Sequence, residues 1–437
     1  MTNMKRKRTF VGALVLVALV AAIVSFVPKA DDEPAVASRP SSRLIAAVRP
    51  AAVRAAPVRP KPGREAVDPE PPEAKQDPVF EVGGKKFRSL QEAVDAAESG
   101  GTITLTGDAY VRNPVAVRKD LRFNLNGYRL TAKNTKIPRI LRQRGDFGVG
   151  GHVISVRGGH NVVVENGGID IVSNGGKNGF TGAVEQVADS SPTAAAESVS
   201  EPAAEPERAV EHPEDAQYDV VVRDVEVTTD VTRESAFLNA DGKMLIDGCT
   251  VQSDGGNGSY TIGAESSTTI RDSSFTTTAE TGWGEWWNNT VAVAFDGTTV
   301  IESGTYVTQK AEGSEAQAYG TYVYSSGGTI EVRDGEFHAD QVVRADKDVT
   351  RYGEDFGVSE VVVKDGALSG QLVSVQTGAE DGAEPVSGVS AYGGVYDNAP
   401  KAEQLPEGKT VVDYGDGTYS VENVALAQEH RQSEVMP

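Results

Sequence analysis

The chain has 437 residues, a formal net charge of −21, one cysteine and 47 glycines. A lone cysteine, Cys249, excludes an intramolecular disulfide framework and a cysteine-rich metal site, so stability must come from packing and backbone pairing, with Cys249 expected as a small buried residue. Charge is segregated: residues 1–78 hold 13 Lys plus Arg against 8 Asp plus Glu, and the remainder holds 29 against 55, a net of −26 that repels phosphate backbones and polyuronates and argues against a nucleic-acid partner.

Residues 1–30 read as an export segment. Lys5, Arg6, Lys7 and Arg8 precede an uncharged run from Phe10 to Val27, the pattern of a segment whose downstream chain is translocated. The run is long enough to span a bilayer, Pro28-Lys29-Ala30 is a poor cleavage site, and Ala35-Val36-Ala37 lies far from the apolar run. The expectation is a retained membrane anchor holding the rest on the extracellular side, with secretion after cleavage as the alternative. Residues 31–78 are rich in Pro, Ala and Arg and are expected to be an extended linker, reaching roughly 150 Å at about 3.1 Å per residue. Arg39, Arg43, Arg49, Arg54, Arg59 and Arg64 recur along it, which suits either a solvated spacer or a basic tether to a polyanionic wall or lipid headgroups.

A folded part is expected over residues 79–421. Its opening, VFEVGGKKFRSLQEAVDAAESGGTITLTGD, predicts a hairpin-like strand pair and then a short helix with Ser89 as N-cap and Glu92 reaching back. Leu90, Ala93, Val94 and Ala97 share one helix face, and Gly100-Gly101 stops the helix before a strand from Thr102 to Thr106. This helix is expected to cap the first rung of a repeat.

Nine segments align on an apolar residue followed five positions later by a second: LNGYRL, VENGGI, VRDVEV, IDGCTV, IRDSSF, IESGTY, VRDGEF, VKDGAL and AYGGVY, starting at Leu125, Val164, Val222, Ile246, Ile270, Ile301, Val332, Val363 and Ala391. Most spacings, 24 to 31 residues, suit a solenoid coil of two or three short strands. One gap of 58 holds an Ala, Glu, Pro and Ser-rich stretch at about 181–217, expected to loop out disordered and, once removed, to leave a spacing near 22.

After each first apolar position stand Glu165, Arg223, Asp247, Arg271, Glu302, Arg333 and Lys364, alternating in sign up to the last pair. Stacked about 4.8 Å apart in a parallel solenoid, these would attract from rung to rung and fix the register. The next position holds Asn166, Asp224, Asp272, Ser303, Asp334 and Asp365, which suits turn formation and left-handed backbone better than a calcium ladder. No cofactor is expected, and no metal site.

The opening VGGKKFRSLQEAVDAAESGGTITLTGD and the closing VSAYGGVYDNAPKAEQLPEGKTVVDYGDGTYSV resemble the start and end of pectin-lyase-like domains on Gram-positive bacterial surfaces, a likeness that covers roughly residues 79–421. It implies an all-β fold, a right-handed parallel β-helix. Members include lyases, hydrolases, adhesins and proteins of no known activity, so the likeness says little about chemistry. Neither the carboxylate clusters of polygalacturonase-like members nor the basic and calcium-binding residues of lyases occur as motifs; Asp296 and His338 stand alone. The balance is against an enzyme.

The candidate functional surface is TGWGEWWNNT. Trp283, Trp286 and Trp287 fall within five residues, with Glu285, Asn288 and Asn289 as polar partners. Indoles stack on sugar faces and dominate protein interfaces, although the same loop could fold back on the solenoid exterior. Tyr319, Tyr322 and Tyr324, one coil later, could extend either surface. The expected function is a membrane-tethered, adhesin-like scaffold that binds a glycan or a surface protein; the alternatives are a polysaccharide hydrolase or lyase, and a structural spacer. Residues 422–437 form a tail of unassigned role.

Overall fold

The computed structural model describes residues 77–133, 151–172, 181–188, 212–230, 235–279, 288–352, 357–378 and 387–428. The export segment, nearly all of the linker and the tryptophans lie outside them. No helix among the described residues is long and apolar enough to cross a membrane, and Phe10 to Val27 is not among those residues.

The described chain is an all-β parallel solenoid with three faces. One 22-stranded assembly carries two faces joined at a corner, and a nine-stranded sheet makes the third. Strands Val162–Val172 and Val220–Thr229 run through that corner unbroken, which is why the first two faces count as one assembly.

The repeat register holds on both faces. On the first, Val164 pairs with Val222, Val222 with Ile246, and the column continues through Ile270, Ile301, Val332 and Val363 to Ala391. On the second, the fifth-position residues stack from Leu130 and Ile169 through Val227, Val251, Phe275, Tyr306, Phe337 and Leu368 to Tyr396. All these side chains are buried in one core, and burial of each Val, Ile, Leu or Phe among them stabilises by about 1.5–3 kcal/mol before entropy is charged against it. Tyr306 and Phe337 stack at 4.7 Å between ring centroids, and Phe275 meets Tyr306 edge-on at 5.5 Å. Tyr306 and Tyr396 keep their hydroxyls satisfied by donating to Ser303 O at 2.8 Å and Gly393 O at 2.6 Å, each three residues back at the corner.

One copy was misplaced by two residues. Val164 pairs with Phe123, and Leu125 sits inside the corner, where its amide donates to Glu165 O at 2.8 Å. The corner from Phe123 to Leu130 is two residues longer than those from Val164 onward, so a fixed five-residue spacing anchored on Leu130 selects the wrong apolar residue.

The corner position has the turn role expected of it. Asn166, Asp224 and Asp272 have φ of 59°, 51° and 49°, the left-handed region that Asn and Asp tolerate. From the coil of Ser303 onward the positive φ moves to the following residue, Gly304, Gly335 and Gly366, and Asp334 and Asp365 instead accept from the amide of that glycine.

Both ends are finished by antiparallel pairs. Phe80–Val82 pairs with Lys85–Phe87 and with Gly101–Leu105, and the hairpin of Lys409–Asp413 and Tyr419–Asn423 pairs with Val395–Tyr396. Covering terminal strands in this way limits edge-to-edge association. Helix α1, Leu90–Ala96, is N-capped by Ser89 Oγ, which accepts from Glu92 N at 3.2 Å, and buries Leu90, Ala93 and Val94 in the main core.

Two boundaries need correction. Gly182–Val187 is not part of a looped-out insertion but a fully buried strand of the third sheet, and Pro213–Gln217 forms a 3-10 turn whose Asp215 pairs with Arg223. The low-complexity composition downstream hid the apolar Ala183, Val184 and Val187, and that coil is longer than the trimmed spacing suggested; only residues 189–211 of the stretch lie outside the described residues. At the other end the last strand reaches Asn423 and Ala427 is buried, so the folded part passes residue 421.

Candidate functional site at the third sheet

The third sheet stacks nine strands in parallel: Val115–Val117, His152–Arg157, Gly182–Val187, Ser235–Ala240, Asn257–Ile262, Asn289–Ala294, Tyr319–Val323, Gln341–Asp348 and Leu372–Thr377. Between Gly101 and Ala391 every connection longer than four residues enters or leaves this sheet, whereas the corner between the first two faces stays short throughout. Chain-length variation is therefore concentrated around one face, as in solenoids whose insertions build a binding face.

Strands that carry buried side chains on both faces dominate the sheet. Ile154, Val184, Phe237, Val291 and Val343 belong to the main core, while Leu238, Tyr260, Ala292 and Tyr322 form a separate cluster with Val187, Ile262, Ala294 and Tyr324 on the other side. Register runs this outer column as Ser155, Glu185, Leu238, Tyr260, Ala292, Tyr322 and Arg344. It is apolar in the middle, with the charged Glu185 and Arg344 on either side, and continues to Ala116 and Val373 in the terminal strands.

At the early end, Glu185 is fully buried. Its carboxylate lies 3.1 Å from His152 Nδ1, accepts from Arg157 Nη2 at 2.9 Å and accepts from the Ser155 hydroxyl. Burial alone would raise its pKa, but the His152 hydrogen bond, the charges of His152 and Arg157 and the Ser155 bond outweigh it, so the carboxyl sits below the ordinary range. His152 Nε2 is 3.0 Å from Ser235 O. Gly182 is obligatory there, since a Cβ would collide with both Ser235 O and the His152 ring.

At the late end, Arg344 is held flat. Nε and Nη2 donate to Asp346 at 2.8–3.0 Å and Nη1 donates to Gln341 Oε1 at 2.9 Å, with the guanidinium 5.3 Å from the ring centres of Tyr319 and Tyr322. Tyr322 donates to Asp346 Oδ2 at 2.6 Å; burial and the Asp346 charge push that phenol well above its ordinary range. Tyr319, Tyr322 and Tyr324 are all buried, so they add no exposed aromatic surface.

Of the six residues singled out by sequence, Trp283, Glu285, Trp286 and Trp287 lie outside the described residues. Asn288 and Asn289 are buried, and the Asn289 amide donates to Asn257 Oδ1 at 2.9 Å and Tyr324 OH at 3.0 Å, an internal rung-to-rung bond. The root of the tryptophan segment is firmly held. Ala279 O accepts from Ala311 N at 3.0 Å and Asn288 O from Tyr319 N at 3.2 Å, so the next connection, 311–318, is stitched to both of its ends, and Ala279 packs with Ala316 and Ala318.

Asp296 and His338 are occupied structurally: Asp296 Oδ1 accepts from Gly357 N at 2.8 Å, and His338 Nε2 lies 2.8 Å from Glu336. Cys249 is buried, and desolvation pushes its thiol up to about 12, which leaves it inert at neutral pH. Among the described residues no group of three or more His, Cys, Asp or Glu converges as metal ligands would. The charged ends of the third sheet were missed by sequence reasoning, because its strands are separated by connections of unequal length and give no alignable spacing. Comparisons of the chain with known protein families, curated proteins and solved structures return no match.

Proposed function

We propose that the chain is a surface scaffold of the right-handed, pectin-lyase-like kind, tethered by its N-terminal segment, which binds a glycan or a surface protein without turning it over. Right-handedness is what parallel crossovers adopt in nearly all cases. The observation that carries the binding reading is the concentration of every long connection around one sheet, with the three tryptophans of the chain on a connection whose root is pinned at Ala279 and Asn288. A rigid root lowers the ordering entropy that a binding loop must lose, and indoles supply the contact area. The charged groups on either side of the middle of the sheet are paired with one another, which suits a scaffold more than a reaction centre. In this reading helix α1 closes the early end of the solenoid and the linker sets its distance from the membrane.

The test is a glycan array and a whole-cell binding assay on the extracellular part, wild type against a Trp283→Ala, Trp286→Ala, Trp287→Ala triple variant of unchanged circular dichroism. Binding that falls tenfold or more in the variant supports the proposal. Turnover of any glycan replaces it with a hydrolase or lyase, and a wild type that binds nothing leaves a spacer.

A further inference from the structure

We infer that residues 69–76, the stretch that leads into the fold, dock in a groove at the early end of the solenoid and turn the last part of the linker into a rigid strut. The inference goes beyond the function proposed above and holds whatever the scaffold binds. The groove lies between strand Lys85–Phe87 and helix α1. Lys86, Phe87 and Arg88 line it from the hairpin side, and Glu92 and Asp95 from the helix. Phe87 is half-buried against the main core, and the four charged side chains are exposed. Pro78 is itself a wall of the groove, so the chain that precedes it is delivered to the site by covalent connection.

Charge selects the occupant. From 34 to 64 the linker holds seven Lys plus Arg and no acidic residue, whereas from 65 to 77 it holds five Asp plus Glu against Lys75 alone. A plain spacer needs no such reversal next to the fold. The fold is reversed too: residues 79–133 hold nine Lys plus Arg against six Asp plus Glu, and residues 134–437 hold 20 against 49. The acidic end of the linker therefore meets the basic end of an otherwise acidic body.

The match extends to single residues. Pro69, Pro71 and Pro72 favour the polyproline II form, whose three residues per turn put Glu70 and Glu73 on one side, about 9 Å apart. Those two carboxylates meet Lys86 and Arg88, while Lys75, nearer to Pro78, meets Glu92 and Asp95, which stand three apart on α1. Exposed ion pairs are individually weak, so tethering decides the balance. A segment joined directly to its groove experiences an effective concentration on the order of 1 mM, so even a contact with a Kd in that range keeps it docked for much of the time. A proline-rich stretch also has little conformational entropy left to lose. The span that sets the distance of the solenoid from the membrane then ends at Asp68 rather than at Pro78.

The test is the mobility of a spin label on Ala74→Cys in the full chain in detergent micelles, read as a rotational correlation time. Cys249 is buried, with its thiol pushed up to about 12, and stays unlabelled. We expect a correlation time at least threefold longer in the folded chain than in urea. Lys86→Glu with Arg88→Glu should bring it within twofold of the urea value at unchanged circular dichroism, and adding Glu70→Lys with Glu73→Lys should restore it. A label as mobile in the folded chain as in urea, a slow label that survives the reversal at Lys86 and Arg88, or a second reversal that restores nothing overturns the inference. Slowing that disappears on dilution marks a contact between copies and overturns it as well.

Discussion

Two sets of charged side chains stand on this solenoid, and they do different work. Along the outer edge of the first face, Arg122–Glu165, Arg223–Asp247, Arg271–Asp247 and Arg333–Glu302 pair at 2.5–3.0 Å in an ion ladder whose pairs range from largely buried at Arg223–Asp247 to exposed at Arg333–Glu302. On the third sheet, His152, Arg157 and Glu185 pair at similar distances with side chains no more than 4% exposed. Distance is the same; solvent is not. In water an ion pair is screened and offset by side-chain entropy, while a buried charge that loses its partner is left in a medium that cannot solvate it.

The comparison breaks most visibly at Glu185. Glu185→Ala strands two buried basic side chains and is expected to destabilise by about 3–5 kcal/mol, read as a lowered midpoint in urea unfolding. The effect should survive 1 M salt. If it matches that of an exposed ladder residue, the distinction between the two sets fails. The same residue sets a pH dependence. Its carboxyl is held below the ordinary range in the folded state, so its contribution is present above the unfolded value and is lost as pH falls through the lower folded one. Stability of the wild type is therefore expected to fall on acidification more steeply than that of Glu185→Gln. Parallel acid limbs would show that the Glu185 carboxyl titrates alike in the folded and the unfolded protein.

At the late end of the same sheet the expected effect is smaller. Tyr322→Phe removes one donor from Asp346 and leaves Arg344 in place, so a cost of about 1–3 kcal/mol is expected by urea unfolding. A neutral outcome would mean that Arg344 alone satisfies the carboxylate.

How much of this was legible depended on the face. The first two faces could be read because the corner between them is short and its left-handed residue is marked by Asn166, Asp224 and Asp272, so apolar columns and ladder charges fall at a fixed spacing. The error at Leu125 arose where that spacing changed. The third sheet could not be read. Its strands are flanked by connections that range from one residue, between Ala240 and Gly242, to stretches outside the described residues, and strands such as Gly182–Val187 bury both sides, so neither spacing nor alternation marks them. Glu185 consequently fell inside the expected low-complexity insertion, and Arg344 and Asp346 carried no sequence signal of their own. Of the proposed site, only the tryptophan segment stood out in sequence, because it concentrates one rare residue type.

The smallest effects belong to the ladder, and they should be graded along it. Arg223 has a side chain only 10% exposed and holds Asp215 with two bonds, at 2.7 and 2.9 Å, besides Asp247; Arg333 is 51% exposed and holds Glu302 and Glu331. Arg223→Ala should cost the most of the ladder arginines, Arg271→Ala about 0.2–1 kcal/mol and Arg333→Ala close to nothing, with the Arg271 effect disappearing in 1 M salt. The grading follows from burial and, for Arg223, from its three bonds to two carboxylates against the single bond of Arg271, since the distances are similar throughout. If Arg333→Ala proves as costly as Arg223→Ala, the ladder is acting as one connected network rather than as separate screened pairs. A double variant of Arg271 and Arg333 would then be expected to depart from the sum of the singles. If the singles add, each rung contributes on its own, and the alternating charges act mainly by penalising a coil that stacks out of register.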